Sequence, residues 1–464
     1  IEFDFFYRTS SPENKEFVQY VFKKLENAGH IYENDIIQFY CNNDKKFLPD
    51  RYVIGICPYC KSEEQYSDLC EKCGRVPEEI ENPHCSICGQ PPVKEKTTHY
   101  FFKLKNFSEK LSQYLEENQN LQKDVKKYVQ NWIKEGLTDW DITRDISWGI
   151  PVPIDGVNDK VFYGWFDNHL AYISSAVKFL NDNGKDGKNF WNESDIYHFI
   201  GKDIVYHHYL FLPAMRLGIE GEYKLPDYIP TRGHLTLQSK KISKSRNWYI
   251  GLKDFLQIFP ADYLRFYLVS INPYSQDDLN FDWNEFATKI NSELIGNLGN
   301  LVNRVLGFTV KSFDGIIPEP EEFDDADKES EKLIKEFVTD IGTLMEQNHL
   351  DRALKKIFQF SAHFNQYFQH KEPWKNNPGT NSCIYLSVNA VRSLAIAIYP
   401  FLPESSQKIW VQLGMHDNIS AQGFDEISNI SIKQGHKLGK ISPLFQKVEE
   451  SVIKEQSAKL GDSM

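Results

Sequence analysis

Six cysteines stand in three C-x-x-C pairs. Cys57-x2-Cys60 and, nine residues on, Cys70-x2-Cys73 offer four soft thiolates on two tight turns, the donor set that a closed tetrahedral zinc site favours. Cys85-x2-Cys88 adds a third pair, which Cys41 and either Asp44 or His84 could complete to a second tetrahedron. Four protein ligands leave no open position for water, so metal at either place would be structural. The plainer reading, cysteines buried as small apolar residues, sits poorly with a pair repeated three times at one spacing.

A second group is made of cations. Lys241-Ile242-Ser243-Lys244-Ser245 follows Thr231-Arg232-Gly233-His234. Lysines three apart between serines can meet the β- and γ-oxygens of a nucleotide together and stabilise charge as pyrophosphate leaves. By itself such a loop is ordinary solvated surface, and it gains meaning from what precedes it. His198 to Gly201 reads as an apolar strand ending in a glycine, where backbone can approach a ligand, and Asp203 just beyond can hold ribose hydroxyls. Trp165 and Tyr172 add aromatic surface of the kind that lines an apolar pocket, although aromatics at helical spacing are more often core.

These residues need a scaffold. At 464 residues the chain has room for roughly three domains. Lys+Arg number 53 against 65 Asp+Glu, a net charge of −12, so no global positive field draws the chain onto DNA or an anionic membrane, and any nucleic-acid contact is local. Apolar runs fall short of the ~18 residues of a transmembrane helix. Paired thiols and no charged-then-apolar leader point to a reducing, cytoplasmic setting. Ile1 to Tyr7 has the composition of a strand and opens without a turn, as though something preceded it. Ser11 and Pro12 then start a helix whose apolar face runs through Phe17, Val18, Val21, Phe22 and Leu25 to Gly29, so strand and helix together suggest an α/β layer. From Cys41 to Cys88 the texture is that of a metal-organised insert. Helical segments follow around Leu111 to Ile133, then strand-like runs at Val161 to Trp165 and Ile196 to Gly201. Asn284 to Gly414 reads as a helical bundle broken near Gly315 to Pro320, at Glu372-Pro373 and at Pro400, and the polar tail after Glu450 reads as mobile.

With these residues in hand the chain resembles the methionyl-tRNA synthetases, class I aminoacyl-tRNA synthetases. Lys241 to Ser245 is similar to the family's K-M-S-K-S signature with Ile242 in place of Met, Phe199 to Tyr206 matches F-I-G-K-D-I-V-Y, and the cysteine insert resembles the zinc-bearing connective domain. Phe47-Leu48-Pro49-Asp50-Arg51, Trp148 to Pro153 and Lys371-Glu372-Pro373-Trp374 extend the likeness over essentially the whole chain. The resemblance implies an α/β fold class: a Rossmann-like nucleotide-binding fold lacking its first segment, a zinc-knuckle insert and a C-terminal α-helical bundle. It divides the chain into a remnant of the first half of the nucleotide fold (1–30), the connective insert (31–145), the second half (146–235), the lysine-loop domain (236–290), an anticodon-binding domain (291–445) and a tail (446–464). It implies a methionine–tRNA ligase with ATP, Mg²⁺ and methionine as small partners and tRNA(Met) as the macromolecular one. Trp165, Tyr172, Ile204 and His208 would line the methionine pocket. Gly201 and Asp203 would meet the ribose, Gly233, His234 and Leu235 the adenine side, and Lys241 and Lys244 the phosphates. Asn300 and Arg304, at i and i+4, with Pro373 and Trp374, would read the anticodon; without the family, the first pair is a solvated helix face and Trp374 a packed ring.

Two departures stand out. Where the family has W-x-D-A-P-x-x-Y, this chain has Trp165-Phe166-Asp167-Asn168-His169-Leu170-Ala171-Tyr172, which puts Asn and His on the pocket wall. The family's H-I-G-H or H-L-G-H motif has no match, and it would fall before the part resembling Ile1, so the chain as given is expected to be inactive in adenylate formation. Two other readings stay open: a non-catalytic fragment that binds tRNA or another partner, and a class I synthetase for a different amino acid.

Overall fold

Ser11 caps the first helix as expected: its side-chain oxygen accepts from the Asn14 N–H, and Pro12–Asn27 buries Val18, Val21, Phe22 and Leu25. This helix lies in the first of two compact units, Ile1–Thr231 and Arg232–Met464, of a computed structural model that describes residues 3–67, 70, 72, 73, 75, 77–244 and 246–461.

In the first unit, helix Pro12–Asn27 packs on helix Gly164–Asp182 over a core that includes Phe102, Phe162, Phe166 and Phe211. A long antiparallel pair, Ile31–Cys41 with Val93–Phe102, runs in register from Ile31 opposite Phe102 to Tyr40 opposite Val93. Successive side chains leave opposite faces. Tyr100 and Phe102 therefore enter the core, while Thr97 and His99 turn toward Asp145. Between these strands the chain makes only a small sheet, Val53–Ile56 between Gln65–Tyr66 and Glu81–Cys85, over the buried apolar residues Cys41, Leu48, Val53, Ile80 and Cys85. So small a core cannot hold such a segment together without help from elsewhere.

The second unit opens with Leu235–Leu237, paired antiparallel with Lys240–Lys241 and parallel with Leu279–Phe281. Helix Trp283–Lys289 continues through a stretch widened to i→i+5 hydrogen bonding, Ile290–Gly299, into helix Asn300–Phe313. Helices Asp325–Glu346, Leu350–Lys371 and Thr380–Ile398 complete most of the bundle, with breaks where Gly315 to Pro320, Pro373 and Pro400 placed them. Thr380–Ile398 is long and apolar enough by length and composition to cross a membrane, but 89% of its apolar window is buried inside the bundle.

Three expectations are corrected. Residues 3–7 form no strand; Phe5 instead stacks on Phe179 at 5.2 Å, and the Tyr7 hydroxyl donates to Glu13 at 2.6 Å. Aromatic residues that suit a pleated sheet suit the side of a helix equally well, so the α/β layer inferred from this run does not begin here. The strand expected over Val161 to Trp165 holds only Val161–Phe162, and Trp165 stands in the first turn of helix Gly164–Asp182. The tail is not loose: Glu450–Ala458 is a helix packed on Trp283–Lys289 with Ile453 buried.

Candidate functional site

The four thiolates Cys57, Cys60, Cys70 and Cys73 converge, with all sulfurs within 4.8 Å of one another, Cys57 to Cys73 at 3.8 Å and Cys60 to Cys70 at 3.5 Å. A zinc tetrahedron with ~2.3 Å legs has edges of about 3.8 Å, so the donor set fits zinc. The turns that aim the sulfurs are closed by backbone bonds from Cys57 N–H to Ser62 C=O and from Cys70 N–H to Arg75 C=O. The second cluster gathers Cys41, Cys85 and Cys88 with Asp44. One Asp44 oxygen lies 3.2 Å from the Cys41 sulfur and 3.1 Å from the Cys85 sulfur. His84, the other candidate, faces Glu64 at 3.5 Å instead. Both clusters suggest zinc, in a segment with almost no apolar core.

In the first unit the four residues read as an amino-acid pocket come together. Trp165 and Tyr172 stand two turns apart on helix Gly164–Asp182. The Tyr172 hydroxyl lies 3.2 Å from His208 Nε2, and His208 Nδ1 lies 3.0 Å from the Ile204 carbonyl, so Nδ1–H donates and Nε2 is left to accept from the tyrosine. His207 and His208 sit in a single turn widened to i→i+5, His207–Phe211, with His208 fully buried and His207 half-buried. The Trp165 and Trp140 rings lie 4.3 and 4.9 Å from the His207 ring, centroid to centroid. The Asp203 carboxylate folds back over Gly201, 2.5 Å from where a Cβ would stand, so glycine here leaves the carboxylate room without being strictly required.

The histidines of this region were only partly legible. His169 is fully buried with neither ring nitrogen hydrogen-bonded, and His198 Nε2 and His207 Nδ1 also lack partners. Burial, with Arg216 adding to it, keeps His169 and His198 well below the usual histidine range, and burial brings His207 down to about 4. Burial also lowers Arg216 to about 9; its guanidinium donates to the Lys224 carbonyl at 2.6 Å and lies over the Trp191 ring. Asp167, enclosed in the same helix, is pushed up to about 6 by burial. Another group was missed altogether. His99, also fully buried, reaches Asp141 through Nδ1 at 2.7 Å and Asp145 through Nε2 at 2.9 Å. Lys160 completes the group with an ion pair to Asp145. The carboxylates at 141 and 145, four residues apart in Asp141-Ile142-Thr143-Arg144-Asp145, were the available signal.

In the second unit Gly233 is required sterically, since a Cβ would meet the Asp277 carbonyl oxygen at 2.0 Å. The His234 N–H donates to Asp278 at 2.8 Å, and Leu235 opens the central strand opposite Leu279. Lys241 pairs with Thr236 at the end of the short hairpin, and Lys244 lies in the turn that Ser243 and Trp248 close with two backbone bonds. Both lysines are exposed; Ser245 lies outside the described residues. On the bundle, Asn300 donates to Asn365 at 2.8 Å and Arg304 to Gln369 at 2.9 Å, so their shared face meets helix Leu350–Lys371. The Arg304 guanidinium also lies over the Phe368 and Trp374 rings, at 5.2 and 5.6 Å. Pro373 opens the turn that presents Trp374, 44% exposed, and Lys371 anchors that turn on Asp324 and Asp327, both at 2.8 Å.

Residues 1–306 match the family model described as tRNA synthetases class I (M), and residues 317–463 match that of the anticodon binding domain of methionyl tRNA ligase. The chain is similar to the methionine–tRNA ligase of Methanopyrus kandleri, 40% identical over 470 residues that cover 99% of this chain and 69% of that protein. It is equally similar to that of Pyrococcus furiosus, 40% identical over 475 residues covering 98% of this chain and 64% of that protein. The chain thus spans about two thirds of the length of these curated relatives. Among solved structures, its fold resembles Mycobacterium tuberculosis methionyl-tRNA synthetase bound by methionyl-adenylate, with a TM-score of 0.76, 24% identity, and coverage of 96% of this chain and 83% of that one. With both of its parts matched in order and 40% identity held over nearly its full length, the chain belongs to the class I methionyl-tRNA synthetase family.

Proposed function

We propose that this chain serves the two-step reaction of a methionine–tRNA ligase: ATP and methionine form methionyl-adenylate and pyrophosphate, and the methionyl group then passes to the terminal ribose of tRNA(Met). The observation that carries the reading is the hydrogen-bonded line of Tyr172, His208 and Ile204, with Trp165 two turns from Tyr172 on the same helix, in a chain of this family. An indole, a half-exposed tyrosine and a neutral histidine suit a soft thioether, which packs on aromatic faces and offers a weak acceptor. Gly201 and Asp203 hold the ribose, Gly233, His234 and Leu235 face the adenine, and Lys241 and Lys244 stabilise charge on the phosphates of Mg²⁺-bound ATP. Catalysis is then positioning plus electrostatics, without a covalent enzyme intermediate. Asn300, Arg304, Pro373 and Trp374 take the anticodon, with Trp374 stacked on a base. The segments 1–30, 31–145, 146–235, 236–290, 291–445 and 446–464 keep the roles given above, with structural zinc in the second and a cytoplasmic setting for the whole.

Methionine-dependent ATP–pyrophosphate exchange tests the reading. The printed 464 residues contain no H-I-G-H or H-L-G-H sequence, and on their own they are expected to exchange negligibly. In a form that exchanges, Lys244→Ala should lower the rate by ~100-fold or more. Trp374→Ala should weaken tRNA(Met) binding by ~1–3 kcal/mol at fixed salt and leave methionine binding unchanged. Adenylate formed with another amino acid in preference would favour the different-specificity reading to which Asn168 and His169 point. Binding of tRNA without adenylate formation in any form of the protein would favour the non-catalytic one.

A further inference from the structure

Helix Gly164–Asp182 carries Trp165, His169 and Tyr172 at i, i+4 and i+7, one face of a helix. His169 stands among the residues proposed to hold the methionine side chain: its ring centroid is 5.5 Å from that of Trp165, 6.4 Å from Tyr172 and 4.9 Å from His208. It has no exposed surface, and neither of its nitrogens has a hydrogen-bond partner. A buried polar group ordinarily has one, and exceptions mark places where something else completes the set. His198, whose Nε2 is likewise unmet, lies 4.7 Å from the Tyr172 ring.

The form of His169 decides what it can bind. Burial, with the positive charge of Arg216 added to it, holds it neutral, and a neutral imidazole presents one N–H donor and one acceptor. A thioether sulfur is a poor match for that donor. An oxygen on the same sulfur is a strong acceptor and would satisfy it. The proline that the family pattern has at this position could offer no side-chain donor at all.

We propose that His169 sets the side-chain specificity of this pocket and admits amino acids with an acceptor oxygen on the δ atom, methionine S-oxide being the one closest to methionine in size. The inference rests on the proposed methionine pocket and goes beyond it in naming a second class of occupant. Asn168, the other departure from the family pattern, is exposed, and the inference does not rest on it.

Calorimetric titration of the full chain with L-methionine, L-methionine S-oxide and L-norleucine tests it, the last having methionine's length and no acceptor. The parent is expected to bind the S-oxide within about 10-fold of methionine. His169→Ala should weaken the S-oxide by about 10-fold or more, the scale of one hydrogen bond, while norleucine changes by less than about 3-fold. His169→Gln, which keeps a donor and an acceptor, should restore most of the difference. Binding of the S-oxide by the parent more than about 100-fold weaker than methionine overturns the inference and leaves the methionine pocket standing. Equal weakening of all three ligands in His169→Ala overturns it too. Failure of the parent to bind methionine at all overturns both. The ratio measured on the parent decides the matter even where His169→Ala does not fold.

Discussion

Two histidines of the first unit are equally buried, and their surroundings give them opposite states. His99 is gripped at both nitrogens by Asp141 and Asp145, so both nitrogens must donate and the ring carries a charge. Burial works against that charge, but the hydrogen bonds and attraction of the two carboxylates outweigh it and raise the pKa. His169 has no carboxylate hydrogen-bonded to it; burial above all, and the charge of Arg216 with it, push it toward the neutral form. Depth of burial therefore says little about a histidine's state, and the sign of the nearest charges says most of it. The first arrangement is saturated and suits a scaffold. The second is unsaturated, and suits a site.

Breaking the saturated group should cost most. Asp145→Ala would leave His99 and Lys160 buried without their shared carboxylate, and a loss of about 3–5 kcal/mol in unfolding free energy is expected from denaturant titration at pH 7. His99→Gln removes the charge and keeps the volume; about 1.5–3 kcal/mol should be lost at pH 6. Because folding raises the pKa of His99, its stabilising contribution is full below the unfolded value of about 6.5 and fades as the pH rises through the folded value, so parent and His99→Gln should converge toward pH 9. The unsaturated group should tilt the other way. Folding depresses the pKa of His169, so the parent loses stability as the pH falls below about 6.5, and His169→Leu should recover about 2 kcal/mol of that loss between pH 7 and pH 5. Parallel pH profiles for the two variants would break the comparison. The smallest effect is expected from Tyr172→Phe, which removes the hydroxyl facing His208 Nε2: about 0.5–1.5 kcal/mol by the same titration, together with weaker methionine binding.

Local chemistry was the legible part of this molecule. The Ser11 cap, the proline breaks of the bundle and the convergence of cysteine pairs each depend on a few consecutive residues and could be read from them. Pairing over distance could not. Ile31–Cys41 finds its partner some sixty residues later, and nothing in Ile31-Tyr32-Glu33-Asn34-Asp35 announces a half-buried strand, because its neighbours are mostly polar on both faces. The Phe5 and Tyr7 run misled for the converse reason, since its composition suited a strand and none of the described residues pairs with 3–7 as one. The resemblance named the pocket residues, and the structure joins Tyr172, His208 and Ile204 directly, with Trp165 reaching them through the His169 ring. It gave no hint of the His99 group, which is assembled from a strand residue and carboxylates more than forty positions away.

The widened stretch Ile290–Gly299 immediately precedes Asn300. An ordinary helix advances about 100° per residue, so losing one residue from Asn300–Phe313 would swing everything beyond it to a different side of the bundle. The widened stretch holds slack that a regular helix lacks: each of its turns encloses one residue more, and a deletion there can be absorbed by reverting to ordinary winding. Helix Asn300–Phe313 would then keep its bearing on Asn365 and Gln369. In the history of such a chain, single-residue gains and losses just ahead of Asn300 are thus the ones that leave the facing of that helix intact, much as a spare link lets a chain be shortened without turning the load it carries.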